Sequence, residues 1–136
     1  MRYLVDANVL SEPTRQKPQP GVVDWLRRNE HEIAVDPVIL GELRFGILLL
    51  RKGKKRNELE QWFDAGVQRL QCLPWEKATG LRWAELLARL RAASLAMPVK
   101  DSLIAATALV HGLAVVTHNR ADFEHAGVPI VEPFTS

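Results

Sequence analysis

The chain has 136 residues, 47% of them apolar and 25% charged, which is typical of one globular domain with a sizeable core, here expected to span residues 1–136. We find no run of 18 apolar residues and no signal-peptide pattern, so we expect a cytoplasmic protein without a membrane span. The single cysteine, Cys72, excludes an internal disulfide and a cysteine-based zinc site.

The first half of the chain begins with a buried strand. Residues 3–5 are apolar and β-prone, which is typical of a strand covered on both faces in a parallel sheet. The elements predicted after it are a short helix from residue 9 with Asn8 as its N-cap, a proline-rich loop, a helix over 22–29, a strand over 33–35, an apolar helix over 38–50 and an amphipathic helix over 59–70.

The second half repeats this alternation. The predicted elements are a short strand at 71–73, a helix over 77–93 with Leu81, Leu87 and Leu90 inward and Arg82, Arg89 and Arg91 in solvent, a helix over 98–111 with small residues Ala105, Ala106 and Ala108, a strand over 113–117 and a last strand over 128–131. Strands that alternate with helices predict an α/β fold whose parallel sheet is covered on both sides.

Four acidic residues fall where such a fold could bring them together: Asp6, Glu42, Asp101 and Asp122. Asp6 ends the first strand, and open α/β sheets bind ligands at the carboxyl ends of their strands. Glu42 lies in an almost wholly apolar helix, where an unpaired carboxylate is costly. Arg44 is two residues away and does not face it on a helix.

Each acid also has a purely structural explanation: Asp6 as a turn residue, Glu42 in an ion pair, Asp101 as a helix-dipole partner, and Asp122 in a capping arrangement with Asn119. Carboxylates gathered in one cleft would nevertheless repel each other, and Mg²⁺ or Mn²⁺ is a natural compensation. One or two such ions can activate water for phosphodiester cleavage. Outside these four acids the chain has 12 acidic and 18 basic residues. The resulting net charge of +6 favours binding of a polyanion.

Each of the four acids lies in a short motif. The motifs are residues 5–12 (VDANVLSE), 41–46 (GELRFG), 97–108 (MPVKDSLIAATA) and 116–123 (VTHNRADF). Together they resemble the acidic motifs of PIN-domain nucleases, and more narrowly those of VapC toxins from bacterial toxin–antitoxin pairs. The resemblance runs nearly end to end, through residues 129–134. Each motif alone is weak, but all four in order within one short chain make a specific signal.

The resemblance implies a PIN-like three-layer sandwich with a mostly parallel central sheet of four to five strands flanked by helices. It further implies an endoribonuclease dependent on one or two Mg²⁺ or Mn²⁺ ions, a homodimer, and neutralisation by a cognate antitoxin whose segment blocks the cleft. The family's metal-binding acids then correspond to Asp6, Glu42, Asp101 and Asp122, and its accompanying polar residues to Asn8, Thr117 and Asn119.

Two positions depart from the family pattern. Ala7 replaces a residue that is usually Thr or Ser, and Asp36 replaces one that is commonly Ser. Both could alter metal occupancy or the hydrogen bonds that orient the acids, although neither removes a primary ligand.

Two surfaces remain open to more than one interpretation. The first is a basic cluster, which is either a solvated turn between helices or a contact for RNA or an acidic antitoxin segment; its members are Arg51, Lys52, Lys54, Lys55 and Arg56. The second is the apolar surface of residues 38–70, which exceeds what one small sheet needs and indicates a dimer face or an antitoxin groove.

The sequence argues against two other functions and gives slight support to a third. A haloacid dehalogenase-type phosphatase needs a second aspartate where this chain has Asn8, and a phosphoacceptor receiver domain needs an acidic pair after its first strand. A catalytically silent binding module that keeps the fold is favoured only by Ala7.

Overall fold

The structure is a computed structural model that describes residues 1–135. At its centre lies one five-stranded sheet in which the paired strands are all parallel. The order across the sheet is β3-β2-β1-β4-β5, with β1 at Tyr3–Val5, β2 at Ile33–Val35, β3 at Gln71–Cys72, β4 at Ala114–Val116 and β5 at Ile130–Val131. The predicted α/β class with a central parallel sheet is confirmed.

Seven α-helices flank the sheet in the described part of the chain: α1 Ala7–Leu10, α2 Pro20–Arg28, α3 Pro37–Leu48, α4 Lys54–Ala65, α5 Lys77–Ala92, α6 Val99–His111 and α7 Arg120–Phe123. Their ends follow local rules. Pro37 supplies the fixed φ that suits the first turn of α3. Gly112 ends α6 in the left-handed conformation, with φ of 66°, which costs glycine little.

The core lies around the two central strands. Leu4 and Val5 of β1 and Ala34 and Val35 of β2 are fully buried, which explains why both strands consist of apolar residues without polar alternation. On α6 the small side chains Ala105, Ala106 and Ala108 are at most 1% exposed. No helix within residues 1–135 combines the length and the apolar character needed to cross a membrane.

Two predicted details are wrong. Leu81 and Leu87 of α5 are 58% and 38% exposed, whereas Leu86 and Leu90 are buried. The buried residues Thr79, Leu86 and Leu90 are seven and four positions apart, so they share one helix face, and Leu81 lies on the opposite side.

The second error concerns the first helix. It begins at Ala7 rather than at residue 9, and Asp6 rather than Asn8 is its N-cap. A carboxylate at the end of β1 therefore has a structural role at the helix start as well as its place at the sheet edge.

Candidate active site

The chain reverses its direction across the sheet between β1 and β4. After β1 it adds β2 and β3 on one side, and it then crosses to β4 and β5 on the other. Open α/β sheets bind ligands in the crevice at the carboxyl ends of the strands beside such a reversal. Asp6 follows β1 directly and Thr117 follows β4 directly, so both lie at this crevice.

Asp6 is a buried carboxylate, 3% exposed, whose two oxygens are both engaged. The backbone N–H of Ala7 donates to Oδ1 at 2.8 Å, and the Thr117 hydroxyl donates to Oδ2 at 2.8 Å. Burial raises the pKa of Asp6, the Thr117 and Ala7 hydrogen bonds oppose that rise, and the charge of Glu42 adds to it. Asp6 is thus held in one orientation and lies within the electrostatic reach of Glu42.

Glu42 of α3 meets Lys100 of α6 across the cleft. Lys100 Nζ lies 2.7 Å from Glu42 Oε2, and the two side chains are 53% and 23% exposed. Oε1 of Glu42 is buried and has no hydrogen-bond partner among residues 1–135. Arg44, the neighbour considered as an ion-pair partner, lies instead 3.9 Å from Asp64. One carboxylate oxygen of Glu42 is therefore available to bind a further ligand, such as a metal ion.

Asp101 sits in the first turn of α6 and is 5% exposed. Burial, followed by the charge of Asp6, raises the pKa of Asp101 to about 6; Asp122 and Glu42 act in the same direction, and Lys100 opposes them. The four predicted acids therefore act on one electrostatic site, because the charge of each of the other three raises the pKa of Asp101.

Asp122 lies on the short helix α7 and is half-buried. Its backbone N–H donates to the Asn119 carbonyl at 3.0 Å. The segment after α7 is held by Arg89 of α5, whose guanidinium donates to the carbonyls of His125 and Ala126 at 3.1 and 3.0 Å. Arg89 is exposed, as predicted, and its charged end also anchors the segment that follows Asp122.

The predicted supporting residues join the ends of β1 and β4. Besides holding Asp6, the Thr117 hydroxyl accepts the backbone N–H of Asn119 at 3.0 Å. Asn8 accepts the backbone N–H of His118 at 3.0 Å, and its amide nitrogen lies 3.4 Å from Asp6 Oδ2. Asn119 takes part through its backbone, and its exposed side chain has no role in these contacts.

The donor chemistry of the cleft fits a hard divalent cation. Its acids supply only oxygen ligands, which Mg²⁺ and Mn²⁺ prefer, and Glu42 Oε1 is a buried oxygen without a partner. Within residues 1–135, however, no three acidic, histidine or cysteine side chains are placed so as to hold one ion together. The cation nearest to Glu42 in this arrangement is the ammonium of Lys100.

Two residues of the site were not recognised from the sequence. Asp36, noted as a departure, is fully buried; its Oδ1 accepts the N–H of Ile39 at 2.9 Å and its Oδ2 accepts the hydroxyl of Thr107 at 2.7 Å. It therefore connects α3, which carries Glu42, with α6. The other is Lys100, whose position beside Asp101 in the motif was the only available signal.

The basic cluster contains two residues with identified partners and three that are exposed to solvent. Lys54, Lys55 and Arg56 form the first turn of α4. Arg56 pairs with Glu60 at 3.0 Å, and Lys55 donates to the Thr14 carbonyl at 3.4 Å. The remaining cations, Arg51, Lys52 and Lys54, are exposed. A contact surface for a polyanion thus rests mainly on these three.

Fold and site together define a doubly wound α/β protein with a carboxylate-lined cleft at the reversal of its sheet. The family model of the PIN domain matches residues 3–129 of the sequence, and the chain belongs to the PIN domain family. The predicted resemblance is therefore confirmed at the level of the family.

Two relatives and one solved structure show which PIN-domain proteins the chain is similar to. Over 135 residues the chain is 32% identical to Toxin FitB of Neisseria gonorrhoeae, covering 96% of this chain and 97% of that protein. It is 38% identical over 105 residues to Ribonuclease VapC4 of Mycobacterium tuberculosis, covering 77% and 78%. The crystal structure of FitAcB from N. gonorrhoeae superposes with a TM-score of 0.92 at 30% identity, over 98% of this chain and 99% of that one. These similarities agree with the predicted VapC type.

Proposed function

We propose that this chain is the toxin of a bacterial toxin–antitoxin pair and a divalent-metal-dependent endoribonuclease. The observation that supports the proposal is that Asp6, Glu42 and Asp122 each raise the pKa of the buried Asp101, which follows from their lying within electrostatic reach of one another near the carboxyl end of β1. Similarity to a protein named ribonuclease and to one named toxin supports the reaction class and the biological setting.

The chain's own residues would have distinct tasks in such a reaction. The four acids, Asp6, Glu42, Asp101 and Asp122, would hold Mg²⁺ or Mn²⁺. When bound, such an ion supplies an activated water and stabilises the leaving oxygen of a phosphodiester. Thr117 fixes the direction of Asp6 through its 2.8 Å hydrogen bond. The crowding that raises the pKa of Asp101 makes the binding of a cation favourable.

RNA is the proposed polyanion. The exposed cations of the basic cluster would attract its backbone, since lysine and arginine release condensed counterions when they contact phosphates. A net charge of +2 understates this attraction, because acids concentrated in the cleft are counted against bases spread over the surface.

An antitoxin segment would fit the groove between α1, α3 and α4. This groove has a volume of about 300 Å³ and is lined by apolar residues such as Leu43, Ile47 and Trp62, together with Asn8 and Glu42 of the cleft. A helix laid into it would contact Glu42, the member of the four acids that lines the groove. Phe45 and Leu49 of the same region are 64% and 69% exposed, which supports a further protein partner, either the antitoxin or the second copy of a homodimer.

Cleavage of structured RNAs tests the proposal. We expect the wild-type chain to cleave with Mg²⁺ or Mn²⁺ and to stop when EDTA is added, and we expect Asp6→Asn and Asp101→Asn to lower the rate by about 100-fold or more. Asp24→Asn is the matched control, because Asp24 pairs on the surface with Arg27 and Arg28 at 2.8 Å. Equal cleavage by the wild type and both cleft variants would refute the site.

The same experiment addresses the alternative of a silent binding module. A wild-type chain that neither cleaves RNA nor binds divalent ions, yet still binds RNA or an antitoxin, would favour that alternative. Co-expression with a small antitoxin-like gene next to the chain's own gene, followed by co-purification, tests the proposed partner independently of cleavage.

A further inference from the structure

One cation is built into the acidic cleft. The ammonium of Lys100 lies 2.7 Å from Glu42 Oε2. Its charge also lowers the pKa of Asp6 and of Asp101. Lys100 is therefore a counterion for several acids at once, and it approaches them from α6, the helix on which Asp101 is the next residue.

We propose that Lys100 is the internal counterion of the cleft, and that a divalent cation binds there by displacing its ammonium from Glu42. The inference rests on the proposed function in one respect, because it takes the four acids as the residues that hold the metal. It goes further by assigning to Lys100 control over how tightly the metal is held.

The two oxygens of Glu42 carry this inference. Oε2 is occupied by the ammonium, while Oε1 is buried and finds no hydrogen-bond partner in the part of the chain that the structure describes. An ion bound at Glu42 would lie beside a like charge, since the Lys100 ammonium is already 2.7 Å from Glu42 Oε2. Ammonium and divalent cation therefore compete for the same carboxylate.

Lys100 is also able to leave. Its side chain is 53% exposed and ends on a flexible four-carbon stem, so the ammonium can turn into water while the backbone of α6 stays in place. Glu42 is only 23% exposed and lies on a helix whose start is fixed by Asp36. Of the two partners, Lys100 is the one that moves.

Titration of Mn²⁺ by calorimetry, without RNA, tests this competition. We expect Lys100→Met to bind Mn²⁺ about two- to fivefold more tightly than the wild type, because ion pairs that are at least partly exposed change equilibria by such factors. Lys100→Arg keeps the charge and should stay close to the wild type. Lys17→Met is the control for net charge, because Lys17 is exposed and is not among the principal charges that act on Asp6 or Asp101.

A double-mutant cycle separates displacement from general repulsion. In a Glu42→Gln background, Lys100→Met should change Mn²⁺ affinity by less than about twofold, because the carboxylate over which the two cations compete is gone. An undiminished effect in that background would overturn the inference. So would unchanged or weaker Mn²⁺ binding by Lys100→Met, or the absence of Mn²⁺ binding by all variants.

Thermal unfolding gives a second readout. In EDTA we expect Lys100→Met to have a lower Tm than the wild type, and we expect Mn²⁺ to raise its Tm by more than it raises that of the wild type. A purely structural lysine would lower Tm equally with and without Mn²⁺, which would contradict displacement. Failure to cleave RNA would refute the proposed function without altering these binding results, so the two failures are distinguishable.

Discussion

The pKa of Asp101 reflects the crowding of acidic side chains in the cleft. Its pKa is raised to about 6, first by burial and then by the charge of Asp6. A carboxyl group whose pKa is higher in the folded than in the unfolded state binds more protons when folded. Between about pH 4 and pH 6 the folded state therefore loses stability as the pH rises, and at pH 7 the loss is complete.

Removing this charge should stabilise the metal-free protein. We expect Asp101→Asn to raise the free energy of unfolding at pH 7 by about 1–3 kcal/mol in EDTA. The gain should be clearly smaller at pH 4.5, where Asp101 is neutral in the folded state although it is largely ionised in the unfolded state. Urea unfolding followed by circular dichroism at both pH values measures the difference. A destabilised Asp101→Asn at pH 7 would contradict the raised pKa.

Thr117 supports a second prediction at this scale. Thr117→Val keeps the shape but removes the hydroxyl that donates to Asp6 at 2.8 Å. Without that hydrogen bond the pKa of Asp6 should rise further and its orientation loosen, so we expect about 1–2 kcal/mol lower stability at pH 7 and weaker Mn²⁺ binding. Thr14→Val is a control, since the Thr14 hydroxyl bonds only to the carbonyl of Ser11 among the described contacts. Unchanged Mn²⁺ affinity in Thr117→Val would refute a supporting role.

Among the elements, α3 and α6 matter most because they carry Glu42, Lys100 and Asp101. Their relative position depends on Asp36, which caps α3 through Ile39 N and accepts the hydroxyl of Thr107 on α6. Burial raises the pKa of Asp36, and these hydrogen bonds oppose the rise. Asp36, which departs from the family pattern, thus connects the two helices that form the cleft.

Two substitutions separate the roles of Asp36. Asp36→Ala loses both hydrogen bonds, so we expect the free energy of unfolding to fall by about 2–3 kcal/mol. Asp36→Asn keeps an oxygen for the N-cap and removes a buried charge, so its effect should stay below about 1 kcal/mol. Chemical denaturation compares them directly, and equal losses in both variants would show that the cap and the Thr107 contact contribute nothing specific.

The elements were largely predictable because their signals are local. The apolar runs of β1 and β2, the proline at the start of α3 and the glycine after α6 each determine structure within a few residues. The inward face of α5 was not predictable, because alternation of leucine and arginine does not indicate which face meets α6. Likewise, Lys100 and Asp36 find their partners 58 and 71 positions away in the sequence, and no local pattern marks such contacts.

For the whole molecule, the distribution of charge leads to a prediction about RNA. Arg51→Ala with Lys52→Ala should weaken RNA binding and lower the slope of log affinity against log salt by about 1.4, as expected for two lost phosphate contacts to single-stranded RNA. Arg27→Ala with Arg28→Ala changes the net charge by the same amount at a surface ion pair. Filter binding at several salt concentrations compares them, and identical slopes for both double variants would refute a specific role of the basic cluster.

The hydrogen bond from Thr117 to Asp6 joins residues 111 positions apart. A ribosome adds about 5–20 residues per second, so for several seconds a nascent chain would display Asp6 and Glu42 without the strand, β4, that completes their surroundings. Asp101 leaves the ribosome shortly before β4, and Asp122 leaves it shortly after. Activity would therefore begin only after nearly the whole chain has been made, and a truncated or stalled product would be harmless to the cell that makes it.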